Sequence, residues 1–252
     1  MIKAFFRAAV YLCLGGVMCS CKKEWITPLE PVPVSGAATQ NMPLAPGLAE
    51  MHSFKVLSFN IRRYDQNDIP ADPQTITERQ PLIRQIIIDN NPDIFGFQEF
   101  LNAGFKTWVV PQMDSLGYGH AAIGITSNPI FFKKNRFSLQ WSKAFYLDPA
   151  YPHQNAVAAI LKDLVTSNMY FVCNTHWIAG DQPGRMGNAG SLIDSIKAMN
   201  PGLQAVIMGD LNAQPDAVEF KMLKDSFAVL DGLWEAQSGP TTHGWDATGE
   251  LL

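Results

Sequence analysis

Four short apolar runs, each breaking off into polar groups, constrain this chain more than any other feature. Residues 54–59 stop at Asn60, and residues 93–98 end in Gln98-Glu99. Residues 169–174 lead into Thr175-His176, and residues 204–208 into Gly209-Asp210-Leu211-Asn212. Runs of this length and apolarity read as buried strands. Single helices fall between them. Residues 78–90 carry Leu82, Ile83, Ile86 and Ile87 on one stripe, with Pro92 just past the end. Further helices are expected near residues 105–116, 185–199 and 216–224, the last with Pro215 suited to its start. Residues 129–132, 137–141 and 156–161 add strand-like runs. Single helices between more numerous strands give an α/β class with a mixed or two-sheet core.

The polar run-ends then take on meaning. In a layered α/β domain, strand ends on one edge of the sheets share a crevice, and sites are built there. A carboxylate with amide oxygens suits a hard divalent ion that keeps several waters. A histidine beside an aspartate suits proton transfer and stabilisation of a phosphoryl oxygen. Taken singly, each group also has a bland explanation. Glu99 reads as a solvated strand end, His176 as a hydrogen-bonded structural residue, and Asp210-Leu211-Asn212 as turn chemistry.

The first 21 residues read as an export signal. Lys3 and Arg7 give a charged start, and residues 8–18 form an apolar run too short to span a bilayer. Met18-Cys19-Ser20-Cys21 resembles a bacterial lipoprotein processing site, with Cys21 as the modified residue in preference to Cys19. The expectation is a chain tethered to the bacterial cell envelope by a lipid on Cys21. An ordinary cleaved signal, and hence secretion, is the alternative. Residues 22–51 hold Pro28, Pro31, Pro33, Pro43 and Pro46 without apolar periodicity, which reads as a tether ahead of a domain at 52–252. Cys173 is then the one cysteine left in the domain, so no disulfide forms inside it, and its apolar surroundings assign it to the core. The formal net charge of −4 supplies no whole-chain positive field for nucleic acid.

Order and spacing carry more than any single residue. Leu57-Ser58-Phe59-Asn60-Ile61-Arg62, Gln98-Glu99, Cys173-Asn174-Thr175-His176 and Gly209-Asp210-Leu211-Asn212 resemble the successive motifs of the endonuclease/exonuclease/phosphatase (deoxyribonuclease I-like) family. Asn128–Lys133, Ala144–Pro149 and Thr242-His243-Gly244-Trp245 resemble lesser stretches of the same family. The resemblance runs from about residue 54 to residue 245 and implies a four-layer α/β/β/α sandwich, two packed mixed sheets flanked by helices. It also implies Mg²⁺-dependent hydrolysis of a phosphoester, with Mn²⁺ as the alternative ion and nucleic acid or a small phosphorylated molecule as substrate. Asn60 and Glu99 would hold the metal, Glu99 directly and Asn60 through its oxygen or a bound water. His176 would face the scissile phosphate, Asp210 would orient or deprotonate the attacking water, and Asn212 would hold the phosphate or that water.

The chain departs from the family pattern in four places. Trp177-Ile178 replaces a Leu-Asp pair after the histidine. The strand beginning Asn155-Ala156-Val157 lacks an arginine, and residues 124–128 lack an acid. These positions shape substrate contacts, so the substrate class stays open. Last, an Ile-Asp-Tyr-Ile strand and a Ser-Asp-His loop should follow where the sequence reads Gly249-Glu250-Leu251-Leu252. His243 belongs to the turn before them and cannot replace the loop's histidine. Losing two core strands would leave unpaired edges, at a cost comparable with a whole domain's stability of about 5–15 kcal/mol. The expectation is a record of a longer protein, with the 252-residue chain itself inactive or very weak, or else a binding protein that keeps the fold without chemistry. The coding DNA past codon 252 decides the first point: an Asp-Tyr-Ile segment in frame is expected, and an immediate stop codon would overturn it.

Overall fold

Strands buried on both faces need cover on both sides, and that requirement organises the molecule. The structure, a computed structural model, describes residues 12–13, 18–19, 53–62, 76–101, 103–123, 126–227 and 230–231. In chain order these are β1 (Lys55–Asn60), α1 (Ile76–Asn90), β2 (Ile94–Gln98), α2 (Ala103–Ser115), β3 (Tyr118–Ala121) and β4 (Ile130–Lys133). There follow β5 (Phe137–Tyr146), β6 (Asn155–Asp163), β7 (Met169–His176), α3 (Gln182–Met199), β8 (Gln204–Asp210) and α4 (Val218–Ser226).

The eight strands form two mixed sheets, in the orders β1-β2-β4-β3 and β8-β7-β6-β5. Parallel pairs β1/β2 and β7/β8 sit at the matching ends of the two sheets. Three apolar clusters separate four layers. Val56, Ile94, Phe132, Val157, Val172 and Met208 fill the space between the sheets. Phe95, Phe97 and Phe131 of the first sheet pack under α1 and α2 with Ile87, Phe105 and Val109. Ala158, Phe171, Cys173 and Ile207 of the second sheet pack under α3 and α4 with Leu192, Ile196, Phe220 and Leu223. This is the α/β/β/α sandwich that the motifs imply.

The signal and tether residues, the turn at His243 and the chain end lie outside the described residues, apart from short pairings. Leu12–Cys13 runs antiparallel to β8 and to Leu230–Asp231, and Met18–Cys19 runs parallel to β1. Several element bounds differ from the sequence reading for physical reasons. The apolar run ending at Trp141 continues as β5 to Tyr146 through exposed positions, because β6 supplies ladder partners along its whole length. The last helix starts at Val218 rather than just after Pro215, on an Ala217 cap without a side-chain hydrogen bond. Strand β3, Tyr-Gly-His-Ala, carries a glycine and an exposed histidine and shows no apolar run.

Two buried ion pairs tie elements together. On α3, Arg185 donates from Nε to Glu219 of α4 at 2.6 Å, and Gln182 donates to the same carboxylate at 3.4 Å. Across β5 and β6, Arg136 grips Asp163 with two bonds of 3.0 Å. Burial pushes the Asp163 carboxyl up, but the Arg136 bonds and the Val165 N–H outweigh it and hold it below the usual aspartate range. A depressed folded pKa stabilises above the unfolded value and stops doing so as pH falls through the folded one. Asp163→Asn should therefore cost about 3–5 kcal/mol in urea unfolding at pH 7, and the gap to wild type should narrow below about pH 4. Lys221→Ala, which removes an exposed pair with Asp225, should leave the midpoint nearly unmoved. A gap that stays constant into acid would refute the ion-pair account.

Candidate active site

Alternation along the strands decides which side chains reach the crevice. Val56, Ile94, Val172 and Met208 all face the space between the sheets, so residues two and four further on share that face. On β1 these are Ser58 and Asn60, and on β2 Gly96 and Gln98. On β7 they are Asn174 and His176, and on β8 Asp210. All four strands end on one edge, and there the polar run-ends meet.

Below the edge lies a buried polar floor. Asn174 spans the sheets, donating from Nδ2 to the carbonyls of Phe97 (2.8 Å) and Pro129 (3.0 Å). Gln98 donates from Nε2 to Asn174 Oδ1 at 2.7 Å and to Ser58 Oγ at 3.0 Å. Gly96 makes this approach possible, since a Cβ there would overlap the Asn174 amide. Gly209 plays the same part on β8, where a Cβ would run into the Thr175 carbonyl.

On the floor stand the candidate catalytic groups. The Asn60 amide nitrogen donates to Glu99 Oε1 at 2.9 Å and to Asp210 Oδ2 at 2.8 Å. One NH₂ group therefore joins carboxylates from the two different sheets. Its oxygen faces the other way and accepts the Arg62 backbone N–H at 2.9 Å. Glu99 reaches this position from a left-handed turn, φ +62°, directly after β2. Asn212 also has φ +48°, and its N–H closes a turn onto Asp210 Oδ1 at 3.0 Å. The Asn212 side-chain nitrogen lies 3.0 Å from His176 Nε2 and 2.9 Å from the Trp177 carbonyl. A donating amide there fits an imidazole with its proton on Nδ1. Asp210 Oδ2 sits 3.7 Å from His176 Nε2, too far for a hydrogen bond but close enough to attract a protonated ring.

All five residues picked from the sequence thus meet in one crevice. Asn60 presents its nitrogen to the two carboxylates. The reading missed Arg79 on α1, whose Nη1 donates to the carbonyls of Ile61 (2.6 Å) and Arg62 (2.8 Å) and fixes the turn after Asn60. Its position on an otherwise polar helical start gave no signal. Among the described residues, no group of three or more His, Cys, Asp or Glu side chains is arranged to hold a metal. The donor chemistry nevertheless fits a hard ion: Glu99 and Asp210 place two carboxylates within 3 Å of one Asn60 nitrogen.

The departures from the family pattern also have structural explanations. Trp177 is core, 1% exposed beneath α3. Asn155 accepts from Thr126 Oγ1 and Asn128 Nδ2, and donates to Ser127 Oγ and the Pro152 and His153 carbonyls. The strand that lacks an arginine thus opens on a saturated neutral amide. Cys173 is fully buried, and burial pushes its thiol up to about 12, so it stays protonated core.

No protein-family model matches the chain, and no curated protein sequence does either. Solved structures do. The catalytic domain of human Nocturnin, with bound sulfate, is 24% identical at a TM-score of 0.56, over 66% of this chain and 67% of that one. A mannosyl-6-phosphatase from Bacteroides thetaiotaomicron is 20% identical at 0.58, over 68% and 69%. An endonuclease/exonuclease/phosphatase protein from Bacteroides vulgatus is 23% identical at 0.58, over 68% and 70%. The chain has the fold of these proteins, with the aligned part spanning about two thirds of each.

Proposed function

We propose that this is a phosphoesterase of the endonuclease/exonuclease/phosphatase type, hydrolysing its substrate with a divalent ion outside the cytoplasm. The observation that carries the reading is the Asn60 amide joining Glu99 and Asp210 beside the His176–Asn212 pair. Four ordered sequence motifs on a matching fold support it. In the reaction, a water oxygen bonds to phosphorus as the ester P–O bond breaks, and the alcohol leaves after taking up a proton. Asp210 holds the water and accepts its proton. His176, its ring set by the Asn212 amide, faces the scissile phosphate, where negative charge builds. Glu99, with Asn60 beside it, would hold the ion. Mg²⁺ bound there would polarise the phosphoryl group and neutralise that charge. Asn60 keeps the two carboxylates together, and Arg79 keeps Asn60 in place.

The experiment uses protein expressed from the whole reading frame. Hydrolysis of a phosphoester should vanish in EDTA and return with Mg²⁺ or Mn²⁺. Asp210→Ala should lower kcat by about 10²–10⁴-fold. Activity indifferent to both treatments would sink the proposal. A folded protein that binds phosphoesters without turnover would favour the binding-protein alternative, to which the Trp177-Ile178 replacement already leans.

We also propose that a lipid on Cys21 holds the domain at the cell envelope, the view that Ser20-Cys21 after the apolar run supports. Cys21→Ser should move the protein from the membrane pellet to the soluble fraction and abolish labelling by a radioactive fatty acid. Unchanged partitioning would overturn the anchor.

A further inference from the structure

Beyond His176 the crevice continues along the second sheet. Tyr146 pairs with Asn155 across β5 and β6, and Ala156 pairs with Thr175 across β6 and β7. Carrying that antiparallel register one step on sets Asn155 opposite His176, and His176 pairs with Asp210. Four neighbouring strands thus end in one straight row, Tyr146, Asn155, His176 and Asp210. The row lies on one face. Phe145 and Leu147, on either side of Tyr146, pack into the cluster under α3, while Ala144 packs into the cluster between the sheets. Tyr146 therefore projects with Ala144 toward the inter-sheet side, at the open edge. It is 58% exposed, at the end of a row in which Asn155 and Asp210 are 6% and 1% exposed and the His176 side chain 18%.

From this row we infer that Tyr146 is a substrate contact, a stacking platform for an uncharged ring on the leaving group of a small phosphomonoester. The inference rests on the hydrolase reading given above. Two strand spacings, roughly 10 Å, separate Tyr146 from His176. A phosphate held at His176 and Asp210 would leave room for one ring over Asn155 and against the phenol. Asn155 decides the charge of that ring. It is neutral, and its amide is taken up by Thr126, Ser127, Asn128, Pro152 and His153. Among the described residues no cation stands in the row to meet a second phosphate, which disfavours a polynucleotide or polyphosphate along it. A pyranose and a nucleobase share the required chemistry, a flat or ridged uncharged face laid on an aromatic.

The test compares wild type, Tyr146→Ala and Tyr146→Phe from the whole reading frame on glucose 6-phosphate, AMP and glycerol 3-phosphate. Tyr146→Ala should raise KM for one or both ring-bearing esters by about tenfold, leaving kcat and the glycerol 3-phosphate constants near wild type. Tyr146→Phe should restore KM, since the ring and not the hydroxyl makes the contact. Which of the two ring-bearing esters responds distinguishes sugar from base. Equal losses on all three esters, or no loss on any, would overturn the platform while the hydrolase stands. Should wild type hydrolyse none of them but cleave DNA or RNA, the platform fails and the hydrolase stands; should it cleave no phosphoester at all, the hydrolase reading fails. Saturation-transfer NMR still reads the platform: ring protons of glucose 6-phosphate or AMP should receive magnetisation from wild type and lose it in Tyr146→Ala. Transfer that is absent from wild type, or unchanged in the variant, overturns it.

Discussion

A single amide group, the side chain of Asn60, joins the catalytic halves of this molecule. Its two N–H bonds run to Glu99 on its own sheet and Asp210 on the opposite one. Two carboxylates so close would repel each other, and donors placed between them offset that cost. The amide can serve only because its oxygen is occupied by the Arg62 N–H. That N–H is aimed by a left-handed residue whose carbonyl Arg79 holds. Glu99 is aimed in turn by its own left-handed turn. Backbone conformations that most side chains avoid have thus collected around the polar centre, where fixed geometry repays their strain.

Much of this was legible in the sequence, because the signals were redundant. The apolar runs of β1, β2, β7 and β8 are buried on both faces, so almost every residue announces a strand, and the polar residue after each marks its end. Their order along the chain then brought Asn60, Glu99, His176, Asp210 and Asn212 into one candidate set, and they do share a crevice. Peripheral elements were harder to read. In β3, burial alternates weakly and a glycine interrupts it, so pairing with β4 rather than composition makes the strand. Half of β5 is exposed at a sheet edge, and its polar residues hid its length.

Directions were also out of reach. Residue types do not reveal whether an amide turns its oxygen or its nitrogen inward, and so the contact of the Asn60 nitrogen with both carboxylates was not legible. Arg79 was invisible for a related reason: it acts on backbone carbonyls, which leave no pattern in a sequence. Asn155 was noticed only as the first residue of a strand without an arginine. Its positive role, saturating a knot of buried amides and hydroxyls beside the crevice, depends on contacts 27–29 residues away in the chain.

The polar floor under the crevice has a mechanical consequence. Asn174 holds two carbonyls of the opposite sheet and one glutamine, all packed against a glycine that leaves no slack. Sliding one sheet over the other by a residue repeat, about 3.3 Å, would strip those bonds inside a dry interior, where lost partners are costly. The sandwich is therefore stiff to shear at the depth of the site. Any adaptation to ligands of different size must come from the rim, while the gap between the two carboxylates stays fixed like the jaws of a gauge.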